Sequence, residues 1–441
     1  MRQALRQAGS RFWLRDARAP VVVCGPVQGP RDEDGLVRLD IRIEDGRIAA
    51  LAPAGTAHEG VRLDGGQVWP GFVDGHTHLD KGHIWPRRRN PTGDFAGAIA
   101  AATQDRAAWT EADIEARFDW GLRAAYAHGT MAIRTHLESD DVRNPQSWRV
   151  FARLRDRWAG RITLQASSIA PLDRFAGEDG TMLADLVART GAALGMVTRL
   201  TGGVHEALPA EFQPMLDNFF ALAEARGLDL DLHVDESGES GARALREIAL
   251  TALRRGFKGR IQCGHCCALS VQPEAFAVET IRLCAEAGIG IIVLPMCNMY
   301  LQDRRAGRTP RWRGVTLVHE FEAAGVPVSL ASDNCRDPFY AYGDHDMVEV
   351  YCESTRTLHL DHPVDAWPRA VGATPARAMG LEKAGLIEVG AAADLVLMRA
   401  RTMSEFLSRP QGDRTVLRAG RILDAVPPDW RELDPVVGAP P

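Results

Sequence analysis

A chain of 441 residues exceeds the usual size of one compact domain, and its 45% hydrophobic and 25% charged fractions are those of an ordinary globular protein with a sizeable core. A net charge of -6 excludes an electrostatic footprint for nucleic acid or an anionic membrane, so the expected partner is a small molecule. No stretch approaches the ~20 apolar residues that span a bilayer, and the opening MRQALRQAGSRFW lacks the apolar core of a secretory signal. The expected location is therefore cytoplasmic, with no membrane and no nucleic-acid partner. The eight cysteines are scattered; Cys263, Cys266 and Cys267 lack the second pair of a zinc knot and read as free thiols.

Residues 1–65 read as short strands with turns, at 20–23, 37–43 and 46–51, the second alternating apolar and charged side chains as a half-buried strand does. From 66 to 380 the pattern becomes strands alternating with helical segments, the signature of βα units around a parallel sheet. A strand at 68–73 opens the series. The basic run Arg87, Arg88 and Arg89, between Pro86 and Pro91, reads as a solvated loop. Thr110 with Asp113 resembles a capping box, and the helix it starts should stop at Gly129, before a strand at 131–136. Further strands are expected at 162–164, near 195–200, and at 228–234, 260–263, 289–294 and 326–330. That gives about eight repeats, the number that closes a (β/α)₈ TIM barrel. Residues 381–427 return to strands, at 393–398 and 415–423, and should pair with 1–65 into one small β-sandwich, since neither piece buries a good core alone. Residues 428–441, rich in Pro and Gly, are expected to form a loose tail.

Barrel sites form where strands end at the C-terminal rim, so the polar residues that close these apolar runs decide the chemistry. The first run delivers His76, Thr77 and His78; residues two apart on a strand point to one side, so both imidazoles can reach one ion. With 13 His in 441 residues a His-x-His arises by chance roughly 0.4 times per chain, and only its place after an apolar strand gives it weight. In 228–234, Leu230, Leu232 and Val234 would face the helices while Asp231 and His233 point inward, and Glu236 has the reach and acidity for proton transfer. Taken alone, an inward His is as often a hydrogen-bonded core residue as a ligand. The strand at 260–263 leads into His265, and that at 326–330 into Asp333. Three neutral imidazoles and one carboxylate suit zinc or ferrous iron, with positions open for water.

Val73-Asp74-Gly75-His76-Thr77-His78-Leu79-Asp80, His233-Val234-Asp235-Glu236, Gly264-His265 and Asp333-Asn334-Cys335-Arg336-Asp337-Pro338-Phe339 together resemble the successive motifs of the amidohydrolase superfamily, specifically its cytosine-deaminase-like branch of metal-dependent hydrolases. The resemblance runs from about residue 66 to 425. It includes a stretch from Asn298 through Arg305 and from Arg313 to Thr316 that reads as non-catalytic. The family implies the same barrel plus β-sandwich that periodicity suggests. It also implies that His76, His78, His233 and Asp333 bind one divalent ion, zinc or iron, with manganese a further candidate. Asp333 would also take a proton from the attacking water. Glu236 would protonate a ring nitrogen and later pass a proton to the departing amine, while His265 steadies the developing tetrahedral centre. The products would be a ring carbonyl and ammonia. No Lys or Glu stands at the fourth strand to bridge a second ion, so the site is expected to be mononuclear.

Cytosine deaminases read the pyrimidine edge with a Gln shortly after the third strand; here the matching segment, from Leu164 to Leu172, has Pro171 near that position. Asn334 stands where they have an acid, and Phe339 where they have Trp. These departures point away from cytosine itself, because a site built to hydrogen-bond one ring edge discriminates strongly against others. Lys81 reads as binding a substrate carboxylate or carbonyl, or as pairing with an acid such as Asp80. Trp85 reads as a lid aromatic or as loop packing. His83 and Arg134 are weaker candidates for the pocket rim, and His136 and His205 stay without a role. The expected function is hydrolytic deamination of an amino-substituted N-heterocycle by a homo-oligomer. Removal of an alkylamine from a triazine or opening of a cyclic amide would use the same chemistry. A catalytically silent scaffold on the same fold is the alternative from another class; four retained ligand positions argue against it.

Overall fold

The computed structural model describes residues 1–364 and 366–438. Its strands, in chain order, are β1 (Arg11–Pro20), β2 (Leu36–Glu44), β3 (Arg47–Pro53), β4 (Val61–Arg62), β5 (Val68–Pro70), β6 (Phe72–Thr77), β7 (Thr130–Glu138) and β8 (Thr163–Ile169). They continue with β9 (Leu230–Val234), β10 (Ile261–His265), β11 (Ile289–Val293), β12 (Val328–Leu330), β13 (Leu395–Leu397), β14 (Thr415–Arg418) and β15 (Arg421–Ile422). The chain folds as two compact units, the first of Met1–Asp74, Arg123–Ala132 and His345–Pro427, the second of Gly75–Leu122, Ile133–Asp344 and the segment from Pro428.

In the first unit the sheets run β3-β2-β1-β4 and β15-β14-β13-β5. β13 pairs antiparallel with both β14 and β5, so the C-terminal strands share a sheet with Val68–Pro70, a segment expected to open the barrel, while β1–β4 of residues 1–65 form a sheet of their own. Leu14, Leu39, Ile41, Val68, Leu395, Leu397 and Leu417 form one buried cluster across them. Residues 21–23 are a 3-10 turn, and the strand is β1 before it. A bulge between Leu14 and Ala17, with Asp16 at φ 54, breaks the period-two pattern and hides that strand from periodicity.

In the second unit β12-β11-β10-β9 form a parallel sheet, and β6, β7 and β8 form a second whose C-terminal halves belong to this unit. Isolated parallel bridges join Thr77 to Asp333, Ser167 to Ala193, Leu194 to Leu230 and Val197 to His233. The segment at 195–200 is thus held by single bridges rather than by a full ladder. Gly195 is required there, since a Cβ would lie 2.1 Å from the Ser168 carbonyl oxygen.

Two expectations are corrected. Arg87 is not in a solvated loop: it pairs with Asp105 at 2.8 Å and with Asp113 at 2.5 Å, and Asp113 also holds the buried Arg117 at 2.6 Å. The charge run hid a buried network because its acids lie on distant helices. Nor is the C-terminal segment loose. Trp430–Leu433 and Asp434–Val437 are helical turns, Trp430 lies 4.3 Å from the Trp120 ring, and the Trp120 indole donates to the Asp429 carbonyl at 3.1 Å. An aromatic anchor outweighs the Pro and Gly composition; residues 439–441 lie outside the described ones. All eight cysteines are free thiols. Among the described residues no helix is long and apolar enough to cross a membrane.

Candidate metal centre and cavity

Four strands of the second unit deliver polar side chains to one point. His76 lies in β6 with His78 just beyond it, His233 lies in β9, His265 ends β10, and Asp333 follows β12. His265 at φ 67 and Asp333 at φ 61 adopt the left-handed backbone that non-glycine residues rarely take, as strand ends at functional sites often do. The Asp333 N–H donates to the His76 carbonyl at 2.9 Å, and the Thr77 hydroxyl donates to the Asp333 carbonyl at 2.8 Å. Gly264 lets the His76 ring lie flat on β10, since a Cβ would come within 3.1 Å of its Cε1.

The His233 Nε2 lies 3.1 Å from that of His76 and 3.3 Å from that of His78. Asp333 Oδ1 lies 3.2 Å from His78 Nε2 and 3.6 Å from His76 Nε2. Ligands about 2.0–2.2 Å from a four-coordinate ion stand about 3.3 Å from one another, so these residues could hold one such ion. All four are buried. Burial, then the charges of Lys81 and Arg134, pushes His76 down to about 3. Burial holds His78 and His233 well below their ordinary value too, so all three rings are neutral and present lone pairs.

The His78–His233–Asp333 side opens on a cavity of about 380 Å³ that Glu236 and His265 also line. Burial and then the charge of Asp333 push the Glu236 carboxyl well above its usual range, which favours its protonated form. The Asn298 amide donates to His265 Nδ1 at 3.0 Å and to Glu236 Oε1 at 3.4 Å. With that amide orientation the His265 ring proton sits on Nε2. The Gln302 amide donates to the Glu236 carbonyl at 3.2 Å. Asn298, read from sequence as part of a non-catalytic stretch, therefore touches both expected proton carriers.

Of the expected substrate contacts, Lys81, Pro171, Asn334 and Phe339 line the cavity, whereas Trp85 is not among the described residues that do. The Trp85 N–H instead donates to the Arg336 carbonyl, a loop-packing role. Lys81 pairs with Glu138 at 3.6 Å, not with Asp80, and its ammonium lies 4.4 Å from the Phe339 ring centroid. Asn334 donates to Asp337 at 2.7 Å. His83 packs 4.5 Å from the Trp120 ring rather than on the rim. Arg134 is buried, donating to Asp231 at 2.8 Å and Gln165 at 3.0 Å, and His136 lies beside it with its ring 3.9 Å from that of His76. His205 does reach the cavity, its Nδ1 3.1 Å from the Thr198 hydroxyl. Sequence reasoning missed Arg106, Glu138 and Arg199. Glu138 ends β7, so the strand-end test applied to every strand would have found it.

Fold and site define a class. A profile of the amidohydrolase family matches residues 90–423, and the chain belongs to that family. Among curated relatives, the pterin deaminase of Rhizobium rhizogenes is 52% identical over 434 residues, covering 98% of both chains. The N-isopropylammelide isopropyl amidohydrolase of a Pseudomonas species is 26% identical, covering 88% of this chain and 91% of the relative. Among solved structures, the 5-methylcytosine deaminase of Klebsiella pneumoniae bound to 5-fluorocytosine superposes with a TM-score of 0.79 at 22% identity, over 93% of this chain and 97% of the other. The N-isopropylammelide isopropylaminohydrolase of Burkholderia multivorans gives a TM-score of 0.72 at 28% identity, over 93% and 98%.

Proposed function

We propose that this protein is a metal-dependent hydrolytic deaminase of an amino-substituted N-heterocycle, of pterin type rather than cytosine. The observation that carries the reading is the buried set of three Nε2 atoms and one carboxylate beside Glu236, whose carboxyl is pushed by burial toward its protonated form, at the wall of a ligand-sized cavity. The 52% identity to a pterin deaminase along 98% of the chain supports the substrate class.

His76, His78, His233 and Asp333 would hold one divalent ion, zinc or iron, or manganese. When bound, the ion supplies Lewis acidity that makes hydroxide available near neutral pH. Asp333 is placed to accept the attacking water's proton. Glu236 donates its proton to the ring nitrogen beside the carbon under attack and regains one from the hydroxyl on that carbon as it becomes the ring carbonyl, while the proton taken by Asp333 leaves with the amine. The His265 Nε2–H, fixed by Asn298, stabilises the oxygen that becomes the ring carbonyl. Lys81 and Phe339 frame the heterocycle.

The scaffold for this site is a closed (β/α)₈ barrel within residues 66–380, with 1–65 and 381–427 as a β-sandwich. What supports closure is the order β6-β7-β8, the bridged segment 193–197, then β9-β10-β11-β12 and the Thr77–Asp333 bridge back to β6. The enzyme works in the cytoplasm as a homo-oligomer.

Ammonia release tests the reading, with metal content measured on the same protein. Pterins should be deaminated at kcat/KM values of about 10⁴ M⁻¹s⁻¹ or more, with cytosine and alkylamino-triazines at least a hundredfold slower. A best rate on N-isopropylammelide would move the assignment to alkylamine removal, and no turnover with a stoichiometric ion bound would sink both.

A further inference from the structure

Four carboxylates line or border the cavity, and each is already engaged. Arg106 pairs with both Glu138 and Asp140, Lys81 pairs with Glu138, Asn298 donates to Glu236, and Asp333 stands among the histidines. Arg199 lines the same cavity, and among the described residues no carboxylate forms an ion pair with it. Among the described residues its guanidinium makes a single hydrogen bond, a long 3.5 Å contact to the carbonyl of the adjacent Leu200. A guanidinium carries five donors in a fixed planar fork, and leaving them unpaired in a half-buried position is costly. Burial accordingly pushes the Arg199 pKa down.

The backbone that carries Arg199 is held firmly. Val197 bridges to both Pro171 and His233, the Thr198 N–H donates to the His233 carbonyl at 3.0 Å, and the Leu172 N–H donates to the Arg199 carbonyl at 3.3 Å. Arg199 is thus placed by a segment bridged to β9, the strand that presents His233. Beside it Arg174, whose guanidinium donates to the Asp140 carbonyl at 2.9 Å, adds a second positive charge to this side of the cavity.

We propose that Arg199 forms a subsite for a carboxylate substituent, carried by the heterocyclic substrate on the ring edge remote from the amino group that is removed. The planar fork matches a carboxylate bidentately, and the cavity of about 380 Å³ limits the substituent to a short one. The subsite sets preference through binding, separately from the proton transfers at Glu236 and His265. It rests on the deaminase reading above.

The test compares pterin with pterin-6-carboxylate in the wild-type protein, Arg199→Gln and Arg199→Lys. The wild type should favour the carboxylate, and in Arg199→Gln the ratio of the two kcat/KM values should fall about ten- to a hundredfold through KM, with partial recovery in Arg199→Lys. A ratio unchanged by Arg199→Gln overturns the subsite and leaves the deaminase reading intact. If neither compound releases ammonia, that reading falls instead. Calorimetric titration of pterin-6-carboxylate then decides the subsite alone: equal affinity in wild type and Arg199→Gln refutes it, and weakened binding in the variant upholds it.

Discussion

Glu236 is the residue whose chemistry most depends on where the fold puts it. An exposed glutamate is ionised at neutral pH; this one is buried beside Asp333, which favours its protonated form and with it a donor's role. Glu236→Gln preserves shape and the Asn298 contact but has no acidic proton to give. The expected outcome is metal content equal to wild type with turnover lowered 10²- to 10⁴-fold, read by metal analysis and ammonia release. Loss of the metal together with activity would instead make Glu236 part of the ion's site. The residue type and its spacing from His233 were readable from sequence. Asn298 and Gln302, which orient it, were not, because they come from a helix some sixty residues away.

At the scale of elements, the helix Met347–Leu358 shows how a single carboxylate can anchor secondary structure. Asp346 caps it, accepting from the Val348 N–H at 3.0 Å, and is held by Arg414, just before β14, at 2.6 Å. Burial pushes its carboxyl up, but the Arg414 hydrogen bonds and charge outweigh that and hold it below the usual carboxylate range. A depressed folded-state pKa gives stability that is present above the unfolded value near 3.8 and lost as pH falls through the folded one. Asp346→Asn should therefore destabilise at pH 7 by about 3 kcal/mol, since it strands a buried guanidinium, and the gap to wild type should close as the pH falls below the usual carboxylate range. Denaturant titrations at both pH values check this, and a gap independent of pH would refute it. The same scale explains the strand that periodicity missed: the β1 bulge puts Leu14 and Ala17 on one buried face although they are three residues apart.

For the whole molecule, an ion at the His76, His78, His233 and Asp333 cluster would tie together three strands, β6, β9 and β12, that are far apart in sequence. Ligand binding to the folded state adds stability by mass action, about 4 kcal/mol at a thousandfold excess over Kd. Treatment with a chelator should abolish ammonia release and lower Tm, and zinc or ferrous iron should restore both. A Tm indifferent to chelation would mean that these side chains hold no ion. Local pattern was sufficient for most of the strand and helix series and for the strand-end histidines, because each depends on the period of apolar residues or on neighbours along the chain. Only the tertiary structure decided that Lys81 pairs with Glu138, that Arg87 joins a buried network, and that Arg199 stands in the cavity while Glu138 and Asp140 pair with other cations. Charge pairing across a cavity depends on which strand ends the fold brings together, and no spacing within one chain segment encodes that.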